Sequence, residues 1–402
     1  MNTIRKIRKY FLATLLFIVL LVGCGYSQDS SQALPSSNNQ ESVQAVASTS
    51  GTVIPFDSNK WEFNAKTSTI QEFLGKKSLL LEEGTATIKN ANFTDGIIEY
   101  DIVLPNGPGF LGTMFRMEDH KNFEELYIRS TRSGLPDAVQ YNPIHNDVLS
   151  WQLFSSRQEP FTATAKFNVG EWTHVKIAVL GKNAEIYVQE MEKPALFVDL
   201  KREVKPGDIG LIAIQDSAPG YFANFSYTTT KPTLKGSPKE TPAVTPGTVK
   251  SWLVSNTFSE KLLDGKYLLS NQEQKQLTWK KLPSYPSGVT NLAIVAEPTP
   301  EKDTVFAKVT IVSDKEQFKT LDFGFCNRVK VYLNGQKIYG GNDDFFSRDY
   351  RFMGTLGYFD QVYLPLKKGK NEVWLAVSSG FPTNGWGLQA KIDDLTGISF
   401  EK

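Results

Sequence analysis

Histidine is nearly missing from this chain: three among 402 residues (His120, His145 and His174), beside only two cysteines, Cys24 and Cys326. That excludes a disulfide framework and a four-thiolate zinc site, and it leaves little material for histidine-based metal or triad chemistry. An excess of either charge is missing too, since 44 Lys and Arg stand against 43 Asp and Glu. Nothing here resembles the basic stripe of a nucleic-acid binder, so no nucleic-acid partner is expected. No Walker-type phosphate loop, Gly-x-Ser-x-Gly elbow, His-Glu-x-x-His string, heptad run or repeat of 20 to 50 residues occurs. What remains is a chain with 40% hydrophobic and 12% aromatic residues, enough for two separate cores and too apolar for a disordered tail protein.

The first 24 residues carry the sharpest signal. Arg5, Lys6, Arg8 and Lys9 precede an apolar run from Phe11 to Val22, and Leu21-Val22-Gly23-Cys24 follows at once. The run is short for a bilayer span, which needs about 20 residues, so it reads as an export signal. The tetrapeptide resembles the bacterial lipobox, and the resemblance implies cleavage after residue 23 and lipidation of Cys24. Acyl chains contribute about 0.8 kcal/mol per buried CH₂, so several chains on one cysteine hold a protein at a membrane without a spanning helix. Removing residues 1–23 takes away four cations and no acids, leaving 40 cations against 43 acids. The expected location is the cell membrane or outer membrane, lipid-anchored on the extracytoplasmic side. Cys326 is then the sole thiol and reads as a small buried hydrophobe.

Composition divides the rest. Residues 24–52 are rich in Ser, Gln and Asn and read as a tether. Residues 230–247, with Pro232, Pro242 and Pro246, read as a Thr/Pro-rich linker unable to enter a central strand. The expected domains are therefore 53–229 and 248–402.

Both read as β. Alternation marks strands at Ile97–Leu104, Phe110–Arg116, Phe123–Arg129, Trp172–Leu180, Ala184–Val188 and Ile209–Ile214, then at Val305–Val312, Thr320–Phe325, Val329–Leu333 and Glu372–Val377. Asn334-Gly335 between Val329–Leu333 and Lys337–Tyr339 predicts a type I′ hairpin, whose two central residues need positive φ. The fold class is all-β, with two β-sandwich domains of jelly-roll type behind the signal and tether.

Phe93-Thr94-Asp95-Gly96-Ile97-Ile98-Glu99-Tyr100-Asp101-Ile102, Gly112-Thr113-Met114-Phe115-Arg116, Glu171-Trp172-Thr173-His174-Val175-Lys176-Ile177 and Gly207-Asp208-Ile209-Gly210-Leu211 together resemble the laminin-G-like, concanavalin-A-like sandwich. Its relatives include carbohydrate-binding modules, sugar-cleaving enzymes and adhesive modules, and keto-disaccharide hydrolase-like domains share the same start. Val331–Tyr339 and Leu366–Val377 resemble the galactose-binding-like jelly roll often attached to glycoside hydrolases, which makes the second domain an accessory.

Glu99-Tyr100-Asp101-Ile102-Val103-Leu104 partly resembles the Glu-x-Asp-x-x-Glu signature of concanavalin-A-like glucanases. Leu104 stands where the second glutamate belongs, so the string lacks its acid/base and reads as two solvent-facing acids. No catalytic residue is assigned.

The richer constellation is Glu125, Tyr127, Arg129, Asp137, Gln140, Tyr141, Trp151 and Gln152, with Arg132 and His145 among them. Alternation places Glu125, Tyr127 and Arg129 on one strand face. Sugars require flat aromatic faces and bidentate or amide partners for hydroxyls, and these are those residue types. In the competing reading Tyr127 and Trp151 fill the core and the charges pair at the surface. The preferred function is non-covalent binding of a glycan or polysaccharide; the alternatives are a glycoside hydrolase-like enzyme and a structural, protein-binding envelope lipoprotein. No cofactor is required. Asn342, Asp343, Asp344 and Asp349 offer oxygen ligands for a structural Ca²⁺ but match no EF-hand spacing, and turn chemistry is the preferred reading of them.

Overall fold

A computed structural model describes residues 51–154, 161–236, 244–348, 353–380 and 384–401. Cys24, the signal segment and the tether up to residue 50 lie outside the described residues, as do Asp349 and residues 237–243 of the Thr/Pro-rich stretch. Among the described residues no helix is long and apolar enough to cross a membrane.

The chain is all-β. The described residues begin with a long hairpin absent from the sequence reading, β1 (Trp61–Phe73) and β2 (Lys76–Phe93), in which β1 pairs with β2 from Lys76 to Ile88. β3 (Gly96–Val103), β4 (Phe110–Asp119), β5 (Asn122–Arg129), β6 (Val139–Ile144), β7 (Thr162–Ala163), β8 (Trp172–Leu180), β9 (Asn183–Val188), β10 (Leu196–Asp199), β11 (Gly207–Ala213) and β12 (Gly220–Thr228) complete one sheet. That sheet makes a sandwich by itself because β2 changes partner. Its Leu79–Leu81 portion pairs with β12, and its portion from Gly84 onward pairs with β11. The change falls at Glu83 and Gly84, both at positive φ. A Cβ on Gly84 would stand 2.3 Å from Ala65 Cα, so only glycine fits there.

One leaf then runs β10-β9-β8-β3-β12 and the other β11-β4-β5-β6-β7, with the hairpin shared between them. Their inward positions form one core: Ile98, Tyr100 and Ile102 from β3, Val175, Ile177 and Val179 from β8, Leu126 and Ile128 from β5, and Val139 and Tyr141 from β6. Residues 231–236, on the N-terminal side of the proline-rich stretch, lie against this sandwich, where Gly236 N–H donates to Glu185 Oε1.

A second pair of sheets follows. β13 (Ser251–Ser255), β14 (Trp279–Pro283), β16 (Thr304–Ser313), β18 (Asn327–Leu333), β19 (Gln336–Asp343), β21 (Gly369–Ser378) and β23 (Ile398–Phe400) form the seven-stranded layer. β15 (Thr290–Asn291), β22 (Gly387–Lys391), β17 (Gln317–Phe325) and β20 (Asp360–Leu366) form the four-stranded one, in that order. Phe323, Leu321, Leu364, Val331, Leu375 and Trp386 pack between them. Asn334 and Gly335 turn the β18–β19 hairpin at φ 51° and 84°, both positive as type I′ geometry demands.

The two sandwiches touch through the segment after β6. Asn146 Nδ2 donates to Ala293 O at 2.8 Å, and Asn291 Nδ2 to Ser150 Oγ at 3.2 Å. Val148 belongs to the second core, while Val289, Cys326 and Leu356 belong to the first.

Candidate functional site

The register of β4, β5 and β6 builds the site. Phe110 faces Arg129, Gly112 faces Tyr127 and Met114 faces Glu125 across the β4–β5 pair. Tyr127 faces Gln140 and Glu125 faces Asn142 across β5–β6. Alternation sends this set to the outer face of its leaf, since Leu126 and Ile128 point into the core. The outer face has two ends. Met114, Met117, Phe123, Ile144 and Ile212 close up as an apolar cluster at one. At the other, Phe110, Tyr127, Arg129, Asp137 and Gln140 come together.

Tyr127 is buried and its hydroxyl donates to Gln140 Oε1 at 2.5 Å. Burial, then the nearby Glu125, pushes the Tyr127 phenol above its ordinary range, so it stays a neutral donor. Its ring meets Phe110 edge to face with centroids 5.7 Å apart. The Arg129 guanidinium lies 5.4 Å from the Phe110 ring centre and pairs with Asp137. Arg132 Nε donates to the other oxygen of Asp137 at 2.8 Å. One carboxylate is thus held between two arginines. Each guanidinium has five N–H donors in a planar fork, and the bond to Asp137 engages one side of it. The side chains of Arg129 and Asp137 are 19% and 26% exposed, so the cluster is reachable from solvent but fixed by its own contacts.

The remaining sequence-selected residues sit elsewhere. Glu125 lies deeper on the same face, accepting from Asn142 Nδ2 at 3.3 Å. Tyr141 faces the core, stacks on Phe161 with centroids 5.3 Å apart, and donates to Glu124 Oε2 at 2.6 Å. Its position opposite Leu126 gives it the inward parity. Trp151 and Gln152 meet the second sandwich. The Trp151 ring stands edge-on to Phe345, Gln152 Nε2 donates to Met353 O at 2.8 Å, and Leu356 N–H donates to Gln152 O at 2.8 Å. In the sequence Phe110 is only the first residue of a strand-like run; its place opposite Arg129 is what brings it to the site.

Of the acid pair on β3, Glu99 is half-buried on the outward side, but Asp101 is not solvent-facing as expected. Asp101 is buried and His174 Nδ1 lies 2.8 Å from its Oδ1, with Lys76 Nζ and Asn224 Nδ2 at 2.7 and 2.6 Å from Oδ2. Burial raises the Asp101 carboxyl, but the bonds from His174, Lys76 and Asn224 outweigh it and bring it down to about 2. His174, bonded to Asp101 and then Glu99, is raised to about 9 despite burial. A carboxyl held that low cannot serve as a general acid, and Leu104 is fully buried in the core. In the second sandwich Asp343 pairs with Arg348 and Asp344 with Arg328, so these two acids face guanidinium groups and not each other.

No protein-family model matches the chain, and no curated protein matches it. Among solved structures, part of it is similar to the carbohydrate binding module CBM66 from Bacillus subtilis, at 19% identity and TM-score 0.32, over 42% of this chain and 94% of that one. A Bacillus subtilis protein of unknown function with a galectin-like fold is similar at 13% identity and TM-score 0.33, over 45% and 97%. A Bacillus licheniformis beta-glucanase is similar at 14% identity and TM-score 0.33, over 46% and 100%.

Proposed function

We propose that this chain is a lipid-anchored extracytoplasmic protein that binds a glycan non-covalently at the outer face of its first sandwich. The observation that carries the reading is the meeting of Phe110, Tyr127, Arg129, Asp137 and Gln140 on one sheet face, with the arginine fork steadied by a carboxylate and an aromatic ring. A sugar offers an apolar C–H face and pairs of vicinal hydroxyls, and this cluster offers aromatic surface beside planar donors and an amide. Residues 1–23 are the signal, Cys24 the anchor, 24–52 the tether, and 230–247 the linker between recognition and accessory domains in this reading.

Two measurements test it. Arg129→Ala plus Gln140→Ala is expected to lower affinity for the retained glycan at least about tenfold while the melting temperature stays within a few degrees; unchanged glycan affinity in the folded variant removes the site. Cys24→Ser is expected to move the protein from the membrane fraction to the soluble one, and persistent membrane association would remove the anchor.

A further inference from the structure

We infer that the outer face of the second sandwich's four-stranded layer is a further binding surface, for an uncharged polysaccharide chain. Phe318 and Tyr363 are 72% and 68% exposed, on the outward side of β17 and β20. They are close neighbours in the register: Phe318 pairs with Pro365 and Thr320 with Tyr363. Their inward neighbours Leu321, Leu364 and Leu366 are in the core, so exposure here follows from alternation and not from loose packing.

The opposite layer treats its outward aromatics differently. Phe306, Tyr332 and Trp374 are covered by Leu263, Leu269 and the partly buried Phe258, Leu277 and Trp279. A chain that covers one outward aromatic face leaves the other open. Two large exposed aromatics on neighbouring strands of an uncovered sheet face give that face something to bind with.

Three features select the occupant. The first is shape. Phe318, Thr320 and Asp322 share one face of β17 across about 13 Å of strand, and Tyr358, 5.4 Å under Lys391 Nζ, extends the strip on the β22 side. The strip fits an extended chain better than a single ring. The second is charge: Asp322 accepts from Gln361 at 2.6 Å and stands 3.8 Å from Lys391, whose ammonium is 2.9 Å from Asp393. At this end of the strip the charges answer one another, so an ionic partner gains little beside Asp322. The third is the edge. β20 ends the layer's strand order, and Pro365 on it lacks the N–H that an added peptide strand would require. Aromatic rings with interspersed hydroxyl and amide groups suit the C–H faces and hydroxyl edges of a neutral polysaccharide.

The inference deepens the glycan reading by adding a second contact in the same chain, which would raise avidity without new affinity at the first. The test uses the full chain in detergent, with cellulose, chitin and insoluble starch as pull-down probes, xylan, mannan and mixed-linkage glucan in affinity gels, and alginate as the anionic probe. Native protein is expected to be retained on at least one neutral probe and not on alginate. Phe318→Ala plus Tyr363→Ala is expected to weaken that retention at least about tenfold with an unchanged melting temperature. Equal retention of this variant and the native chain overturns the inference. So does retention of the native chain on no neutral probe, or a shift from dimer to monomer in sedimentation caused by the same variant, which would make the strip a contact between copies. Arg129→Ala plus Gln140→Ala separates the two sites. If that variant binds like the native chain while Phe318→Ala plus Tyr363→Ala does not, the first site falls and the strip stands.

Discussion

Two histidines of the first sandwich respond to protons in opposite directions, because one is held by carboxylates and the other is buried beside an arginine. His174 carries its proton up to about 9 through Asp101 and Glu99. An unfolded histidine releases it near 6.5, so the stabilisation is complete below that value and fades as pH rises toward 9. His145 is driven down to about 3 by burial and then by Arg202, whose Nη1 donates to its Nδ1 at 2.9 Å. The unfolded state binds a proton that the folded state refuses, so this contribution is lost as pH falls from 6.5 toward 3. Thermal melts should therefore show His174→Gln flattening the loss of stability between pH 6.5 and 9, with a smaller Asp101 contribution on the acid limb because that carboxylate loses one of the bonds that hold it low. Melts that fall equally in both proteins across that alkaline range would show that the Asp101 bond is not the cause. Asp101 adds an acid term of its own: its folded value near 2 means that its stabilisation holds above 3.8 and disappears below 2.

Among the elements, the β1–β2 hairpin decides the architecture, since β2 alone joins the two leaves by pairing with both β12 and β11. Gly84 sits at φ 151° with no room for a Cβ. Gly84→Ala should cost about 2–3 kcal/mol in urea unfolding through backbone strain and displacement of Ala65; a loss below about 0.5 kcal/mol would mean that the hairpin bends elsewhere. The sequence hid this hairpin for a physical reason. β1 is partnered only by β2 and reads Thr67-Ser68-Thr69 at its middle, a polar stretch whose outward positions are wet. Strands with one buried face, such as β8, announced themselves: Trp172–Leu180 was read with both ends in place. β18 was likewise legible because Val329 and Val331 alternate with Arg328 and Lys330.

At the scale of the whole molecule, Gln152 ties the sandwiches together. Its backbone N–H donates to Asn384 O at 3.3 Å, its carbonyl accepts from Leu356 N–H, and its amide reaches Met353 O. Gly385 packs against it so closely that a Cβ would lie 2.8 Å from Gln152 Cβ. Gly385→Val is expected to split calorimetric unfolding into two transitions, because its side chain would push against Gln152 where the two sandwiches meet. A single transition would show that the two sandwiches unfold together for another reason.

The amino-acid sequence by itself determined the all-β class, about half of the strand positions and the Asn334-Gly335 turn, because these depend on alternation and on local φ preferences that neighbouring residues carry. It also placed Tyr127, Arg129, Asp137 and Gln140 in one short stretch, where strand parity puts Tyr127 and Arg129 on one face. Tertiary structure alone decided that Tyr141 turns into the core, that Gln152 serves the contact between sandwiches, and that Phe110 completes the cluster. It alone also left Phe318 and Tyr363 uncovered. Parity within a strand is local, but which face meets water depends on what packs against the sheet, and those partners lie far away along the chain.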